Sequence, residues 1–341
     1  MKYGSSIRET LADLAPQLGF EAFGIASVAK LARKEYFLNW LSTQQYGEMH
    51  WLAREPERRV DPALVLEEAR SLIVVGMNYF QPQSEERGKI ATYALGNDYH
   101  AVMEEKLKKL AVILEEAGGR QKCYVDTGPV MEKNWAELAG LGWQGKSTML
   151  IHPRLGTWLF LGCILTTLEL EPDSPGQNRC GTCTRCMAAC PTNAIIAPYQ
   201  LDARRCIAYL TIEHQGFIPE EFRQAIGDRL YGCDDCLTAC PWNRWAQKTR
   251  EAAFQPLPRY ELREMLSWTE ETFRQHFRHS PIKRLKLLRW KRNICIVLGN
   301  IGNEEDIPVL KEFADKVQEE WLKEHACWAI VQIEKRIKAI Q

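Results

Sequence analysis

The sequence lacks a long apolar run, an excess of charge of either sign and a recognisable leader. Its longest apolar run, residues 157–167, is shorter than the roughly 20 residues that a membrane-spanning helix needs. The first six residues have no apolar core, so we expect no signal peptide and a protein of the reducing cytoplasm. Because 44 Lys and Arg residues balance 44 Asp and Glu residues, a uniformly basic nucleic-acid coat is excluded.

Cysteine, in contrast, is abundant, with 12 residues in a chain of 341. A disulfide framework is not expected in a reducing compartment, so the cysteines point to metal binding or catalysis. Eight of them lie between residues 171 and 250. The other four stand in apolar runs and are predicted to be buried packing residues: Cys123, Cys163, Cys295 and Cys327.

The spacing of the eight clustered cysteines predicts two iron–sulfur clusters. A C-x2-C-x2-C-x3-C run followed by Pro191 is typical of bacterial ferredoxins, in which the fourth cysteine ligates the other cluster. A second, shorter run ends before Pro241, but Leu230 occupies the position of its first cysteine, and Cys206 is the nearby replacement. Crossing the fourth ligands gives one set of Cys180, Cys183, Cys186 and Cys240, and another of Cys190, Cys206, Cys233 and Cys236.

The alternative is a pair of structural zinc ions, each held by four of the eight cysteines. A zinc ribbon needs neither a proline after its last cysteine nor a third cysteine in the same short loop. The pattern therefore favours iron–sulfur clusters, which carry electrons singly and imply redox chemistry at another centre.

The rest of the chain divides by its hydrophobic pattern. Residues 1–170 alternate helical periodicity with short β-branched runs, which predicts an α/β domain. Residues 171–250 form the cysteine-rich module, and residues 251–341 are predicted to be helical. A weak repeat with a period of 32 residues in this last part fits either a HEAT-like helical repeat or unrelated amphipathic helices.

Two motifs of the first domain carry possible chemistry. Residues 140–147 fit the phosphate-loop pattern G-x4-G-K-S, but a helix precedes them where a phosphate loop requires a strand, so we expect no nucleotide site. A glycine-rich turn packed against a flat cofactor fits better. Asp126 follows a predicted strand and precedes a helix, where it is either a cap or a proton donor.

Long motifs of this chain closely resemble those of epoxyqueuosine reductases. The matching segments are Val125–Glu132, Ala139–Ser147, Leu201–Ile207, Tyr231–Cys236, Cys240–Arg244 and Tyr93–His100. Members of that family are cobalamin-dependent iron–sulfur enzymes that reduce epoxyqueuosine to queuosine at the wobble position of tRNA. The resemblance implies a nitroreductase-like cobalamin domain at 1–170, a ferredoxin-like module at 171–250 and a HEAT-like tRNA-binding domain at 251–341.

The resemblance also implies a role for Asp126 as the catalytic proton donor, for which we expect the pocket to raise its pKa. The expected cofactor is base-off cobalamin without a histidine ligand, because the signature D-x-H-x-x-G is only half present at Asp98–Met103. The predicted cobalamin contacts are Asp126, Gly145, Lys146, Ser147 and Leu150. A monomer and an external low-potential electron donor are expected as well.

A local basic patch is the candidate tRNA surface. No acidic residue lies between Glu271 and Glu304, and the stretch contains Lys283, Arg284, Lys286, Arg289, Lys291 and Arg292. Helical spacing predicts that Leu287, Trp290, Ile294 and Leu298 face the core. Lys286, Arg289 and Arg292 are then predicted to share a face that contacts phosphates, the alternative being a solvated basic face.

Two other functions remain open at this point. A reductive dehalogenase-like enzyme would share the cobalamin and the two clusters, although such proteins usually carry an export signal. A ferredoxin-type electron carrier fused to helices would have no corrinoid and no enzymatic activity.

Overall fold

The computed structural model describes residues 6–28, 33–82 and 87–340. The helices are Ile7–Gln17 (α1), Lys34–Ser42 (α2), Pro56–Val60 (α3), Tyr99–Glu116 (α4), Glu132–Leu138 (α5), Arg185–Ala188 (α6), Ile207–Ile212 (α7), Glu220–Ile226 (α8), Asp235–Thr238 (α9), Leu262–Ser267 (α10), Glu270–His276 (α11), Leu287–Ile301 (α12), Ile307–Lys316 (α13) and Glu320–Ile340 (α14). The strands are Ala22–Ser27 (β1), Ser71–Asn78 (β2), Lys89–Ile90 (β3), Gln121–Tyr124 (β4), Trp143–Gln144 (β5), Leu150–Ile151 (β6), Leu159–Thr166 (β7), Ile195–Ala197 (β8), Gln200–Leu201 (β9) and Arg229–Tyr231 (β10). Among these helices, none is long and apolar enough to cross a membrane.

The main sheet of the first domain has the strand order β1-β2-β7-β4, and each neighbouring pair is antiparallel. Helices and strands do alternate along the chain, as predicted, but the parallel sheet that an α/β domain implies does not form. The reason is that β7, the last strand, inserts between β2 and β4, which run in the same direction and are joined through α4. The local sequence pattern specifies strands but not their neighbours.

Helices cover both faces of the sheet, which explains the continuous apolar run of β2. Ile73 and Val75 pack against α1 and α4 through Leu11 and Leu107. The alternate residues Leu72 and Val74 face α5 and pack in the same cluster as Trp135 and Ala136. All eight residues of β2 are buried, so neither face can be polar.

The N-terminus of α4 brings polar side chains to the end of this sheet. The Asp98 carboxylate accepts a hydrogen bond from the backbone N–H of His100 and caps the helix. Tyr99 and His100 therefore lie in the first turn. At its other end the helix stops before Gly118, whose φ of +86° favours glycine.

The C-terminal helices do not form a separate core. Trp290, Ile294 and Leu298 of α12 share one apolar cluster with Leu230 and Tyr231 of the cysteine-rich module. The prediction that one face of α12 points to the core is confirmed, since Leu287, Trp290, Ile294 and Leu298 are all buried. Of the four isolated cysteines, Cys163 and Cys295 are buried as predicted, whereas Cys123 is half-buried and Cys327 is exposed.

Arg292 corrects the predicted basic face of α12. Its side chain is 0% exposed, and its guanidinium group donates to the backbone carbonyls of Leu210, His214 and Gly216. It also donates to the side-chain oxygen of Asn293. The side-chain nitrogen of Asn293 donates in turn to the carbonyls of Thr211 and Leu230. Arg292 is therefore a structural link between α12 and the cysteine-rich module and is not available to phosphates.

We expect Arg292→Leu to lower the free energy of unfolding by about 3 kcal/mol or more, because it leaves several buried carbonyls without a donor. Chemical denaturation followed by far-ultraviolet circular dichroism measures the change. Leu288→Ala, at an exposed position of the same helix, is the control and should change stability by no more than about 0.5 kcal/mol. Equal stability of the two variants would contradict the role of Arg292.

Candidate functional site

Asp126 lies where β4 ends and the chain turns towards α5. Its φ of +59° is in the left-handed region, which a non-glycine residue seldom occupies and which here directs its side chain towards α4. The Tyr99 hydroxyl donates a hydrogen bond of 2.8 Å to the Asp126 carboxylate. Nε2 of His100 lies 3.7 Å from the same oxygen.

A chain of charged groups continues from this carboxylate. Nδ1 of His100 lies 2.7 Å from the Asp98 carboxylate, so the imidazole stands between two carboxylates. The ammonium group of Lys283, from the C-terminal part, lies 3.1 Å from the other Asp98 oxygen. The order of groups is Lys283, Asp98, His100 and Asp126.

This series of charged groups lowers the pKa of Asp126, whereas a raised pKa was predicted. Burial alone would raise its pKa, but the hydrogen bonds and charges of His100, Tyr99 and Lys133 outweigh burial and lower the pKa. The expectation of a raised pKa was therefore wrong. The neighbours that lower the pKa lie outside the motif Val125–Glu132, and the sequence does not show where their side chains point.

The proton is held instead by two adjacent groups. Burial opposes the charge of His100, but the carboxylates of Asp126 and Asp98 raise the pKa of His100 to about 9. His100 is therefore a cation at neutral pH. Burial, followed by the charge of Asp126, raises the pKa of Glu132 to about 7, so this carboxyl group is partly protonated near neutrality.

The Asp126 side chain is open to solvent on one side. It is surrounded by protein, yet 60% of its side-chain surface remains accessible. Arg59 and Glu132 are charged neighbours of Asp126, and Arg58 precedes Arg59 on α3. Each of the three has a buried polar atom without a hydrogen-bond partner: Nε of Arg58, Nε of Arg59 and Oε1 of Glu132. Such donors and acceptors fit a ligand whose rim carries amide groups, as a corrinoid does.

The eight clustered cysteines separate into two sets by proximity. Burial raises the pKa of Cys240, and its charged neighbours are the sulfurs of Cys180, Cys186 and Cys183. Burial likewise raises the pKa of Cys236, whose neighbours are Cys206, Cys233 and Cys190. The structure thus brings together the two sets that the crossed ferredoxin pattern predicts, which we call the outer set (Cys180, Cys183, Cys186 and Cys240) and the inner set (Cys190, Cys206, Cys233 and Cys236).

The outer set lines a cavity together with residues of the phosphate-loop-like motif. Cys180, Cys183, Cys186 and Cys240 surround it, with Lys146 and Ser147 among the other lining residues. The Lys146 ammonium donates to the carbonyls of Gly181 and Cys183. Among the described residues, no three Cys, His, Asp or Glu side chains lie close enough to bind one metal ion.

The predicted cobalamin contacts are therefore spread over two places. Lys146 and Ser147 lie beside the outer set, and Leu150 packs in the core under α5. Gly145 belongs to the hairpin of β5 and β6, where its N–H donates to the carbonyl of Met149. This hairpin follows α5 and opens no helix, as expected for a motif that is not a phosphate loop.

The inner set lies deeper and nearer to Asp126. Cys206 and Cys233 pack in an apolar cluster that includes Ile207 and Ile296. Lys133, in the first turn of α5, is a charged neighbour of both Cys206 and Asp126. The helix that follows Asp126 therefore carries a charged side chain that is close to both the inner set and Asp126.

The candidate tRNA residues differ in accessibility. Lys283, Arg284 and Lys286 are exposed, and Lys283 and Arg284 form ion pairs with Asp98 and Glu213. Arg289 is half-buried and donates to the carbonyls of Leu285 and Ile212. Lys291 lies over the ring of Phe313, and Arg292 is buried. The exposed part of the basic patch is therefore the segment before α12.

Sequence reasoning missed several residues of the Asp126 site. Tyr99 and Glu132 were quoted only as parts of motifs, and Lys133 was not singled out. The signal that could have identified Tyr99 and His100 is their position directly after a helix-capping Asp98, where side chains of the first turn face the end of the sheet. No local signal distinguishes Glu132 from an ordinary charge in the first turn of a helix.

Two family models match the chain. The model of a 4Fe-4S double cluster binding domain covers residues 179–243, which contain both cysteine sets. The model described as epoxyqueuosine reductase QueG, DUF1730, covers residues 59–127, which end at the Asp126 turn.

Curated proteins and solved structures agree with these matches. The chain is 41% identical to the epoxyqueuosine reductase of Xanthomonas campestris pv. campestris over 333 residues, which cover 94% of each chain. A crystal structure of a selenomethionine-labelled epoxyqueuosine reductase aligns with a TM-score of 0.90 and 31% identity, covering 98% of this chain and 93% of the other. An epoxyqueuosine reductase crystallised with an epoxyqueuosine-modified stem loop of tyrosine tRNA aligns with a TM-score of 0.85 and 29% identity, covering 96% of this chain and 99% of the other.

Replacing Cys206 tests its assignment to the inner set. We expect Cys206→Ser to retain about four of about eight irons after anaerobic reconstitution, because one missing thiolate opens one cluster only. Iron and labile sulfide analysis measures the loss. Cys327→Ser, at an exposed cysteine outside both sets, should keep the full iron content. Stoichiometric zinc without sulfide in the wild type would exclude clusters altogether.

Proposed function

The chain belongs to the epoxyqueuosine reductase family, and we propose that Asp126, charged through His100, delivers the proton that the reaction requires. The protein is an oxidoreductase that reduces epoxyqueuosine in tRNA to queuosine. The reaction is the overall removal of the epoxide oxygen as water, which consumes two electrons and two protons. The observation that carries the proposal is the imidazole of His100 held between the carboxylates of Asp98 and Asp126.

The electrons are carried by the 4Fe-4S double cluster domain. We assign one cluster to the outer set and the other to the inner set, on the grounds of sequence spacing and the proximity of the sulfurs. An external low-potential donor supplies the electrons. Because its substrate is tRNA, we expect the protein to act in the cytoplasm. We also expect it to act as a monomer.

The accessible surface around Asp126 is the proposed cobalamin site. Arg58, Arg59 and Glu132 offer unpartnered polar atoms that suit the amide groups of a corrinoid, and the hairpin of β5 and β6 borders the nearby outer set. Bound cobalamin would supply a low-valent cobalt, which is a strong nucleophile and reductant. Base-off binding is what the family resemblance implies, and His100 would not ligate the metal, since both of its ring nitrogens face carboxylates.

Proton transfer then follows from the arrangement of the ionisable groups. At neutral pH the proton shared by the pair is on His100, whose pKa of about 9 exceeds the lowered pKa of Asp126. A developing alkoxide near Asp126 is a stronger base than a carboxylate, so it draws the proton through Asp126 from the imidazolium. Glu132, with a pKa of about 7, is a suitable source for the second proton.

The tRNA must reach Asp126 from the side of the exposed basic residues. Lys283 is bonded to Asp98, so the segment 283–286 lies next to the proton chain. We propose that Lys283, Arg284, Lys286, and the more buried Arg289 and Lys291 form the nearest part of the tRNA surface. The nitroreductase-like and HEAT-like descriptions of the first and last parts of the chain fit this division of roles, with residues 1–170, 171–250 and 251–341 as its three units.

We expect Asp126→Asn to lower turnover about 100-fold or more, because an amide preserves the size of the side chain but transfers no proton. Single-turnover reduction of an epoxyqueuosine-containing stem loop measures the rate. Iron and corrinoid contents serve as the control and should match the wild type. Near-wild-type turnover would show that Asp126 only stabilises the turn.

The pH dependence separates proton supply from simple positioning. Because the proton on the His100–Asp126 pair is lost as pH rises through about 9, the wild-type rate should fall on that alkaline limb. His100→Gln keeps a hydrogen-bonding side chain but cannot hold the proton, so the limb should move to lower pH. A variant with a lower rate but an unchanged pH profile would contradict the role of His100 as a proton store.

Arg278 is exposed and lies in the same acid-free stretch as Lys286, so we include it in the proposed tRNA surface. We expect Arg278→Glu with Lys286→Glu to weaken stem-loop binding and to flatten its salt dependence by roughly two in the logarithmic slope, since two phosphate contacts would be lost. Fluorescence anisotropy at several salt concentrations measures both quantities. The matched control is Lys311→Glu with Lys323→Glu, which places the same charge change on exposed positions of α13 and α14. Equal effects of the two pairs would contradict a local surface.

A further inference from the structure

The surroundings of the outer set contain no acidic residue over three separate stretches of chain. Residues 138–168, 174–201 and 236–250 lack Asp and Glu entirely, although the chain as a whole has 44 of them. Each stretch contributes to the cavity of the outer set: the first through Lys146, the second through Arg179 and the third through Trp242. The absence of acids is therefore concentrated in space around one cysteine set.

Basic side chains at this rim are exposed and unpaired. Arg179, Arg185 and Arg244 are all exposed, and within the described parts of the chain none of the three forms an ion pair. The guanidinium group of Arg244 lies 3.7 Å from the centre of the Trp245 ring. Trp245 is itself 47% exposed, which is unusual for so large an apolar side chain. The rim thus offers positive charge beside an exposed aromatic surface.

The inner set has the opposite surroundings. Asp234 and Asp235 lie within its second loop, and Asp235 is paired with Arg229. Cys206 and Cys233 pack against apolar side chains, whereas Gly181, Thr182 and Thr184 of the outer loop are exposed. Only the outer set is therefore both close to the surface and surrounded by free positive charge.

We propose that this rim, formed by Arg179, Arg185, Arg244 and Trp245, is the docking surface for a small acidic electron-carrier protein. The inference rests on the proposed function, because it assumes that the outer set holds a 4Fe–4S cluster which accepts the electrons. Free arginines next to an exposed aromatic ring are a typical composition of protein interfaces, and opposite charge steers a weak, transient partner to its site.

The electron balance of the contact is simple. Each docking event oxidises the carrier by one electron and reduces the outer cluster by one electron, and no bond forms or breaks. Two such events supply the two electrons consumed per epoxide. A one-electron carrier must dissociate between the events, which favours a contact governed by long-range charge over a large apolar interface.

The other polyanion that a basic rim could bind is tRNA. The position of the rim argues against this, because it borders the outer set, while the exposed basic segment 283–286 is bonded to the Asp98–His100–Asp126 chain. The exposed Trp245 stacks with Arg244, which follows the outer cysteine Cys240 closely in the chain.

The test uses the reconstituted holoprotein and a purified flavodoxin, an acidic one-electron carrier, as the probe. Arg185→Glu combined with Arg244→Glu should weaken flavodoxin binding about tenfold or more and reduce the dependence of affinity on salt. Anaerobic titration calorimetry measures the affinity, and stopped-flow bleaching of the cluster absorbance measures reduction by the carrier. The matched control is Lys335→Glu with Lys338→Glu, at exposed positions of α14.

Three outcomes are informative. Loss of flavodoxin binding with unchanged iron content, unchanged stem-loop affinity and unchanged reduction by dithionite supports the proposal. Unchanged flavodoxin affinity overturns it, and so does a loss of stem-loop affinity in place of carrier affinity, which would make the rim a tRNA surface. Failure of the proposed function is distinguishable, because the wild type would then reduce no epoxyqueuosine with dithionite whatever the flavodoxin affinity.

Discussion

Asp98 makes the contacts on which the site depends. Its carboxylate caps α4 and lies 2.7 Å from Nδ1 of His100, while its other oxygen lies 3.1 Å from the Lys283 ammonium. Its own N–H donates to the carbonyl of His279. One residue thus fixes the start of the helix, the orientation of the imidazole and the position of the C-terminal segment. Because Nδ1 of His100 is held by Asp98, Nε2 of the same ring faces Asp126.

The separation of the two cysteine sets has a related logic. The outer set is close to the surface and the inner set is packed among apolar side chains, with Lys133 between the inner set and Asp126. Electrons must move from outside to the substrate cavity, whereas protons must be available inside it. Two different helices provide these supplies: Lys133 of α5 is a charged neighbour of both the inner set and Asp126, and His100 of α4 holds the proton beside Asp126.

Local patterns predicted what depends on local geometry. Cysteine spacing predicted both sets because thiolates on one short loop have few possible arrangements, and the periodicity of α12 predicted its buried face. The pKa of Asp126 could not be predicted, since it depends on two side chains of a helix that is distant in sequence. The prediction for Arg292 was wrong for a similar reason. Helical periodicity assigns the residue to a face of the helix, but it does not show that a loop of the cysteine-rich module covers this face with backbone carbonyls.

The difference between local and overall charge explains why a chain with zero net charge can bind polyanions. Its charges are balanced over the whole sequence but not locally, since four long stretches, 138–168, 174–201, 236–250 and 272–303, contain no acid. Buried arginines such as Arg292 use their donors on carbonyls and contribute little to the surface field. Exposed basic residues near the outer cysteines and beside Lys283 have no acid in their own stretch of chain, so local basic surfaces arise in a neutral protein. Because screening limits the field of an exposed charge to roughly 10 Å at ordinary ionic strength, an anionic partner responds to these local charges and not to the zero net charge of the chain.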